Sequence, residues 1–195
     1  MLLGPSGGSF AYSGTAAPPF SLSWDELDPL EPGSGELLRL EGKAGSQSLT
    51  VSALEPFLPS GGSAEPLPVL GLAAERARDE IEREYPGARV VLEGRTELAV
   101  DRGPEAYQLA FAAPAAAAGE TLIGKRLLVP DPDRPGQGVE IEITELTSRP
   151  AVVEKVEGAP SGFFANWPIQ LLLEAEASVR TEEGLETPLR SFAFG

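Results

Sequence analysis

Short runs of alternating apolar and polar residues dominate this chain and predict β-strands. Phe20, Leu22 and Trp24 alternate with serines, as expected for a strand with one buried face. Two further runs, residues 36–42 and 47–57, are joined by a short glycine-containing loop that suits a hairpin. The same pattern predicts four more strands, at residues 88–100, 105–113, 121–130 and 138–146. Because these strands have one polar face, the pattern indicates an antiparallel meander.

A four-residue spacing replaces this alternation in the segment 70–87 and predicts an α-helix. The residues at this interval share one helical face: Ala73, Ala77, Ile81 and Tyr85. Pro86 and Gly87 predict where the helix ends. The helix also carries a mixture of arginines and glutamates, which predicts a solvated surface and no binding site: Arg76, Glu80, Arg83 and Glu84.

The C-terminal residues predict a second, shorter helix. Thr187 is a favourable N-cap, and Pro188 is a favourable first helical residue. Leu189 and Phe192 are spaced so that they share one face of that helix. We expect this face to dock on the sheet, with Phe194 covering the sheet edge.

Two segments are interpreted from their composition. Residues 1–19 are rich in glycine, serine, alanine and proline, which predicts a flexible lead-in or linker. Residues 20–195 then form a single domain. Residues 168–180 alternate in part as a strand would, yet they contain strong helix formers over a long window and begin with Pro168. We therefore predict a helix there.

The amino-acid composition excludes several kinds of catalytic site and metal site. The 195 residues include no cysteine and no histidine. Serine–histidine and cysteine–histidine nucleophile systems are therefore impossible, as are zinc sites of the usual kind. A mechanism that uses two carboxylates remains conceivable. We predict that the chain is not an enzyme and that it has no cofactor, no metal and no catalytic residues.

The net charge of −15 further restricts the partners. A chain this acidic is a poor candidate for binding nucleic acid, because that binding depends on lysine and arginine contacts to phosphates. The same charge repels an anionic membrane surface. No stretch approaches the roughly 20 apolar residues of a membrane span. A protein or a small ligand is left as the expected partner.

The strongest candidate contact is an aromatic cluster in a predicted loop. Phe163, Phe164, Asn166 and Trp167 are predicted to contact a ligand or a partner protein, although filling of the core at a loop–helix junction is the alternative. Trp24 is interpreted as a core residue.

Three weaker patterns carry charged residues. Acidic side chains could supply a carboxylate pair: Glu140, Glu142 and Glu145 together with Glu174 and Glu176. Lys125 and Arg126 should point to opposite faces of their strand, one toward solvent and one paired with a carboxylate. The segment 131–138 spaces aspartates as calcium loops do but lacks their later ligands, so it is interpreted as a proline-containing turn.

Three short stretches and the order of elements resemble a known family. PPFSLSW (18–24), AYQLAF (106–111) and TPLRSFAFG (187–195) are similar to stretches of an uncharacterised actinobacterial family of extracytoplasmic domains. The fold of that family is similar to the fold of PsbP, the extrinsic photosystem II subunit, and of the nuclear import factor that binds the GTPase Ran. The resemblance implies an α+β, PsbP-like α/β/α sandwich, an antiparallel sheet of about six to seven strands flanked by helices.

The resemblance also implies a function, because PsbP-like proteins are mostly binding and assembly factors. We expect a non-enzymatic binding or protein-interaction domain of the cell envelope, tethered through a missing N-terminal anchor. A cytoplasmic location is the alternative. Two other functions stay open. One is a carrier of a small apolar ligand or lipid in a cavity between helix and sheet, and the other is a carboxylate-based hydrolase.

Overall fold

Antiparallel strands form two sheets in this computed structural model, which describes residues 7–42, 47–54, 66–98, 104–115, 120–147 and 186–195. The strands are β1 (Gly8–Tyr12), β2 (Phe20–Trp24), β3 (Asp28–Leu30), β4 (Glu36–Glu41), β5 (Gln47–Ala53), β6 (Arg89–Glu97), β7 (Glu105–Pro114), β8 (Thr121–Pro130), β9 (Gly138–Thr147) and β10 (Ala193–Phe194). The helices are α1 (Pro66–Glu84) and α2 (Glu186–Ser191).

The larger sheet has seven strands in the order β3-β4-β5-β9-β8-β7-β6. Strands β6 to β9 form the predicted meander, and the β4–β5 hairpin joins it through an antiparallel pairing of β5 with β9. The predicted α+β class and the predicted antiparallel sheet are therefore confirmed. The expectation of one polar face is wrong for β7 and β8, because consecutive residues of these two strands are buried on both sides of the sheet.

One face of this sheet is covered by the smaller sheet, β1-β2-β10, together with α2. Phe20, Leu22 and Trp24 project from β2 into the shared core, as their alternation predicts. Trp24 is 6% exposed, which confirms it as a core residue. Leu189 of α2 joins the same core, as does Phe192 directly after the helix, so the predicted docking of this helix is also confirmed.

The opposite face is covered by α1, which packs over β7 and β8. Small alanines on the helix allow it to approach the strands closely, and Ile81 is fully buried against them. The strand residues in this second core are Leu109, Phe111 and Leu128. Gly124 lies beneath the Phe111 ring, where a Cβ atom would overlap the ring. The helix predicted from the four-residue spacing is therefore confirmed, and it begins earlier than predicted, at Pro66.

Two short strands lie where the sequence predicts other structure. The stretch expected to be a flexible lead-in contains β1, which pairs with β2. Its side chains Phe10 and Tyr12 pack on Phe20, with ring centroids 5.9 and 5.5 Å away, and this contact orders a segment that composition alone assigns to a linker. Residues 25–35 contain several turn-forming residues and predict a turn, yet they include β3, an edge strand of three residues that pairs with β4.

The helix predicted at residues 168–180 lies outside the described residues. Within the part of the chain that the structure describes, no helix combines the length and the apolar character needed to cross a bilayer.

Candidate functional site

A buried arginine lies between α1 and the sheet. Arg126 is in the middle of β8, and its side chain is 3% exposed. Strand alternation places it on the face under α1, together with Gly124 and Leu128, whereas Lys125 lies on the other face. A charged side chain is costly to bury unless it is paired and hydrogen-bonded, so its partners decide what this site is.

Four carboxylates contact the Arg126 guanidinium. On α1, Glu84 accepts a hydrogen bond from Nη2 at 2.5 Å and Glu80 accepts one from Nη1 at 3.3 Å. On β9, Oε2 of Glu142 accepts from Nε at 2.8 Å and also from Nη2. Glu140 forms an ion pair with Nε at 3.4 Å. We refer to these five residues as the Arg126 cluster.

Two regular spacings in the sequence place the carboxylates of the Arg126 cluster on the same sides of their elements. Glu80 and Glu84 are four residues apart on a helix and therefore share one side of α1. Glu140 and Glu142 are two residues apart on a strand and therefore share one face of β9. Antiparallel register places Glu142 directly opposite Arg126 on the neighbouring strand. These carboxylates meet where α1 lies over β8 and β9.

A tyrosine completes the hydrogen bonds of Glu142. The hydroxyl of Tyr85 donates to Oε1 of Glu142 at 2.5 Å, so both carboxylate oxygens are engaged. The Tyr85 ring stacks on Phe111 with centroids 5.1 Å apart. Burial and the Glu142 charge hold the pKa of Tyr85 far above its ordinary value, so this hydroxyl stays a donor.

The Arg126 cluster carries more negative than positive charge. One guanidinium faces four carboxylates, and little water screens the repulsion between Glu140 and Glu142, which are the two most buried of them. The carboxyl of Glu140 is affected most. Burial, opposed by Arg126 but reinforced by Glu142, Glu80 and Glu84, raises the pKa of Glu140 to about 7. Burial lowers the pKa of Arg126, but the same carboxylates raise it by more, so Arg126 stays charged.

A cleft of about 360 Å3 lies on the other side of α1, between the helix and β6. Its walls are Arg78 and Glu82 of the helix and residues 88–93 of the chain. Glu93 pairs with Arg78 and accepts a hydrogen bond from the Tyr107 hydroxyl at 2.6 Å. Burial raises the pKa of Glu93, but the bonds to Tyr107 and Arg78 lower it by more, so the pKa of Glu93 lies below its ordinary value. The cleft is therefore charged and polar on the helix side.

The structure separates several residues that the sequence grouped together. Glu140 and Glu142 lie together, but Glu145 lies on the opposite face of β9, where it accepts a hydrogen bond from Gln47 at 3.3 Å. Glu174 and Glu176 lie outside the described residues. So do all four residues of the predicted aromatic contact, namely Phe163, Phe164, Asn166 and Trp167, and their role stays a prediction.

The predicted solvated surface on α1 agrees with the exposure of its charged residues, but two of them also make a contact with the sheet. Glu80 and Glu84 are partly exposed, yet both bind the buried Arg126. Helical periodicity shows which residues share a side, but it does not show what that side lies against. The prediction that a cation of the Lys125-Arg126 pair would bind a carboxylate is confirmed by the ion pair between Arg126 and Glu142.

The segment that begins at Asp131 is a turn, as the sequence predicts. The carboxylate of Asp131 accepts hydrogen bonds from the backbone N–H of Asp133 at 2.9 Å and from Arg134 at 2.7 Å. These contacts explain why an aspartate is buried at the start of the turn. Among the described residues, no group of acidic side chains is arranged to hold a metal ion.

These elements together define the fold of the Mog1 and PsbP proteins. The 1.9 Å crystal structure of the Saccharomyces cerevisiae Ran-binding protein Mog1p matches with a TM-score of 0.50 at 11% identity, over 97% of this chain and 96% of that one. A single-residue mutant of the protein Mog1 matches with a TM-score of 0.49 at 10% identity, over 96% of each chain. Neither a protein-family model nor a curated protein matches this chain. At such low identity the likeness establishes the fold alone.

Proposed function

We propose that this chain is a non-enzymatic protein-interaction domain. The observation that carries the proposal is the likeness of fold, which extends over 97% of the chain to a protein whose name states that it binds Ran. The composition is in keeping with this function, because a chain without histidine and cysteine lacks the commonest catalytic bases and nucleophiles.

The state of the acidic residues on β9 also favours this function over hydrolysis. A two-carboxylate hydrolase needs one carboxyl group to give a proton and another to attack or to activate water. Both oxygens of Glu142 already accept hydrogen bonds, and Glu140 is ion-paired with the same arginine. These contacts tie α1 to the sheet, which is a structural use of the charges.

The alternative function, a carrier of a small apolar ligand or lipid, has less support at the expected site between α1 and the sheet. The contact between α1 and the sheet is filled by side chains that are fully buried, Ile81, Phe111 and Leu128 among them. The cleft beside α1 has charged walls, which include Arg78 and Glu93, as well as apolar ones, so it is not a purely apolar cavity. We therefore do not propose a lipid carrier.

The proposal is tested by isolating a partner and measuring its binding directly. The tagged chain is used for affinity capture with cross-linking, and the captured protein is purified and titrated against the untagged chain. We expect one-to-one or simple stoichiometric binding with a Kd of about 10 μM or tighter. If no captured protein binds the purified chain in this titration, the proposed function is wrong.

We further propose that the aromatic stretch near residue 165 contacts the partner. Aromatic side chains are enriched among the residues that dominate binding at protein interfaces. Changing Phe163, Phe164 and Trp167 together to alanine is expected to weaken binding at least about tenfold. Leu72→Ala is the control, because Leu72 is an exposed apolar residue on α1. Equal affinity of the triple variant and the control would contradict this assignment.

We also propose an extracytoplasmic location for the domain, tethered to the cell envelope. This location is motivated by the resemblance of three sequence stretches to extracytoplasmic domains. Cell fractionation followed by intact-mass measurement of the native product tests it. A membrane-associated species heavier than 20.5 kDa is expected, whereas a cytosolic species of that mass would contradict the location.

A further inference from the structure

The Arg126 cluster contains more carboxylates than its single guanidinium can neutralise. Glu142 directly opposes Arg126 and also has Tyr85 as a donor, while Glu84 binds one guanidinium nitrogen at 2.5 Å. Glu140 has the longest of the ion pairs, at 3.4 Å, although only 19% of its side chain is exposed. A carboxylate that is removed from water and weakly paired is the member of a cluster that most readily takes up a proton.

Apart from Arg126, the charged side chains that act most strongly on Glu140 are acidic: Glu142, Glu80 and Glu84. On β5, Ser52 is its direct neighbour and Thr50 is opposite Glu142, and neither is charged. The facing titratable groups are Glu80 and Glu84 on α1, Tyr85 directly after the end of that helix, and Arg126 on β8. Further along this face, on β4, Arg39 pairs with Glu36 at 3.5 Å. Protonation is therefore the direct way to relieve the repulsion around Glu140.

We propose that Glu140 and Arg126 form a proton-controlled latch that sets how firmly the C-terminal part of α1 is held on β8 and β9. With a proton on Glu140, Arg126 is shared by three carboxylates and holds Glu80 and Glu84 firmly. When that proton leaves, Glu140 competes for the guanidinium and repels the two helix carboxylates. The helix residues respond because they are the more exposed members, at 30% and 50% of their side chains.

The latch responds to pH changes near neutrality. Burial raises the pKa of Glu140 to about 7, so small changes around neutral pH alter its charge. Histidine normally provides such a response, and this chain has none. The same helix lines the cleft beside β6 through Arg78 and Glu82, so loosening its C-terminal part also alters that surface. The latch does not depend on the proposed function and can be tested without a partner.

Amide hydrogen exchange of α1 tests the latch. We expect the protection of the backbone amides of residues 78–85, corrected for the intrinsic pH dependence of exchange, to fall about tenfold between about pH 5.5 and about pH 8.5. In the Glu140→Gln variant the protection should stay high across this range, since the amide mimics the protonated acid. Glu145→Gln, on the opposite face of the same strand, is the matched control and should keep the wild-type response.

Carbon-detected NMR of the Glu140 carboxyl provides a second measurement that does not need the glutamine variant to fold. The carboxyl should titrate within about one pH unit of neutral in the wild-type protein. Glu84→Gln removes one repelling charge from an exposed position and should lower that midpoint. Wild-type protection that does not change with pH, or a Glu140→Gln variant that keeps the full pH response, would overturn the latch. A Glu140 midpoint near that of an exposed glutamate would overturn it as well.

Discussion

At the scale of single residues, Arg126 shows what periodicity can and cannot predict. Alternation along β8 separates Lys125 from Arg126, so the prediction that one of them meets a carboxylate follows from the sequence. The two pairs of partners also follow local spacing, four residues on α1 and two on β9. That the two pairs would meet at the same guanidinium could not be predicted, because the position of α1 over β8 depends on packing between distant segments.

Replacing Arg126 by methionine should destabilise the protein strongly. The change leaves the largely buried Glu140 and Glu142 without their cation, and breaking a buried ion pair by removing one partner costs about 3–5 kcal/mol. Urea denaturation at neutral pH measures the free energy of unfolding. The neighbouring change Lys125→Met, on the other face of β8, should cost less than about 1 kcal/mol. Equal losses for the two variants would show that the Arg126 cluster contributes little to stability.

The stability of the protein should depend on pH through Glu140. Between the ordinary pKa of 4.5 and the folded value of about 7, the folded protein keeps a proton that the unfolded chain has lost. Stability from this group is therefore complete below about pH 4.5 and decreases as pH rises through about 7, by on the order of 3 kcal/mol. Urea denaturation at a series of pH values should show this decrease in the wild-type protein. A Glu140→Gln variant with the same decrease would contradict the assignment.

At the scale of elements, the strands with regular alternation were predicted and the irregular ones were not. Strands β7 and β9 contain alternating stretches, and all four strands from β6 to β9 are short runs bounded by turn residues, so the meander follows from the sequence. Strand β1 lies among glycines and serines, and β3 has only three residues, so neither produces a clear pattern. Alternation does not predict that β5 pairs with β9, because it shows which residues share a face of a strand and not which strands are neighbours.

The packing of α1 on the sheet should depend on the absence of a side chain at Gly124. A Cβ atom there would overlap the Phe111 ring, which itself supports Tyr85 and Leu109 beneath the helix. We expect Gly124→Ala to destabilise the protein by about 1–3 kcal/mol through overpacking. Combining it with Phe111→Leu should recover part of that loss, and thermal denaturation measures both. Additive losses in the double variant would show that the two positions do not compete for space.

A matched control for this prediction lies on the helix itself. Gly71 is exposed on α1, and a Cβ atom at that position would have no atom within 4 Å. Gly71→Ala should therefore stabilise the protein by about 0.5–1 kcal/mol, because alanine has the higher helix propensity. The opposite signs expected for the two substitutions separate a packing effect from a general response to glycine replacement.

At the scale of the whole molecule, β2 connects segments from both ends of the described chain. It pairs with β1 on one side and with β10 on the other, and α2 packs on it. Ser191 adds a direct link, because its hydroxyl donates to the backbone carbonyl of Ser23 at 3.0 Å and accepts from that residue's N–H at 2.8 Å. The core between the two sheets is continuous through these elements, so the two sheets should unfold together.

Phe192 provides the test of this joint unfolding. Its ring stacks on Phe20 at 5.6 Å and meets Phe194 edge-on at 5.1 Å, so Phe192→Ala removes the centre of the contact between α2 and β2. We expect a loss of about 3–5 kcal/mol, with exposed Arg190→Ala as a control that costs less than about 1 kcal/mol. Because Trp24 lies in the core shared by the two sheets, its fluorescence reports the smaller sheet, while circular dichroism reports the larger one.

The two signals become separable when Trp24 is the sole tryptophan, which a Trp167→Phe background provides. If the sheets share one cooperative core, Phe192→Ala should shift both transitions to the same lower urea concentration with an unchanged slope. If the fluorescence transition moves alone, the smaller sheet and α2 unfold as a separate unit. In that case the seven-stranded sheet with α1 would be the stable part of the molecule, and the core that joins the sheets would contribute less than its burial suggests.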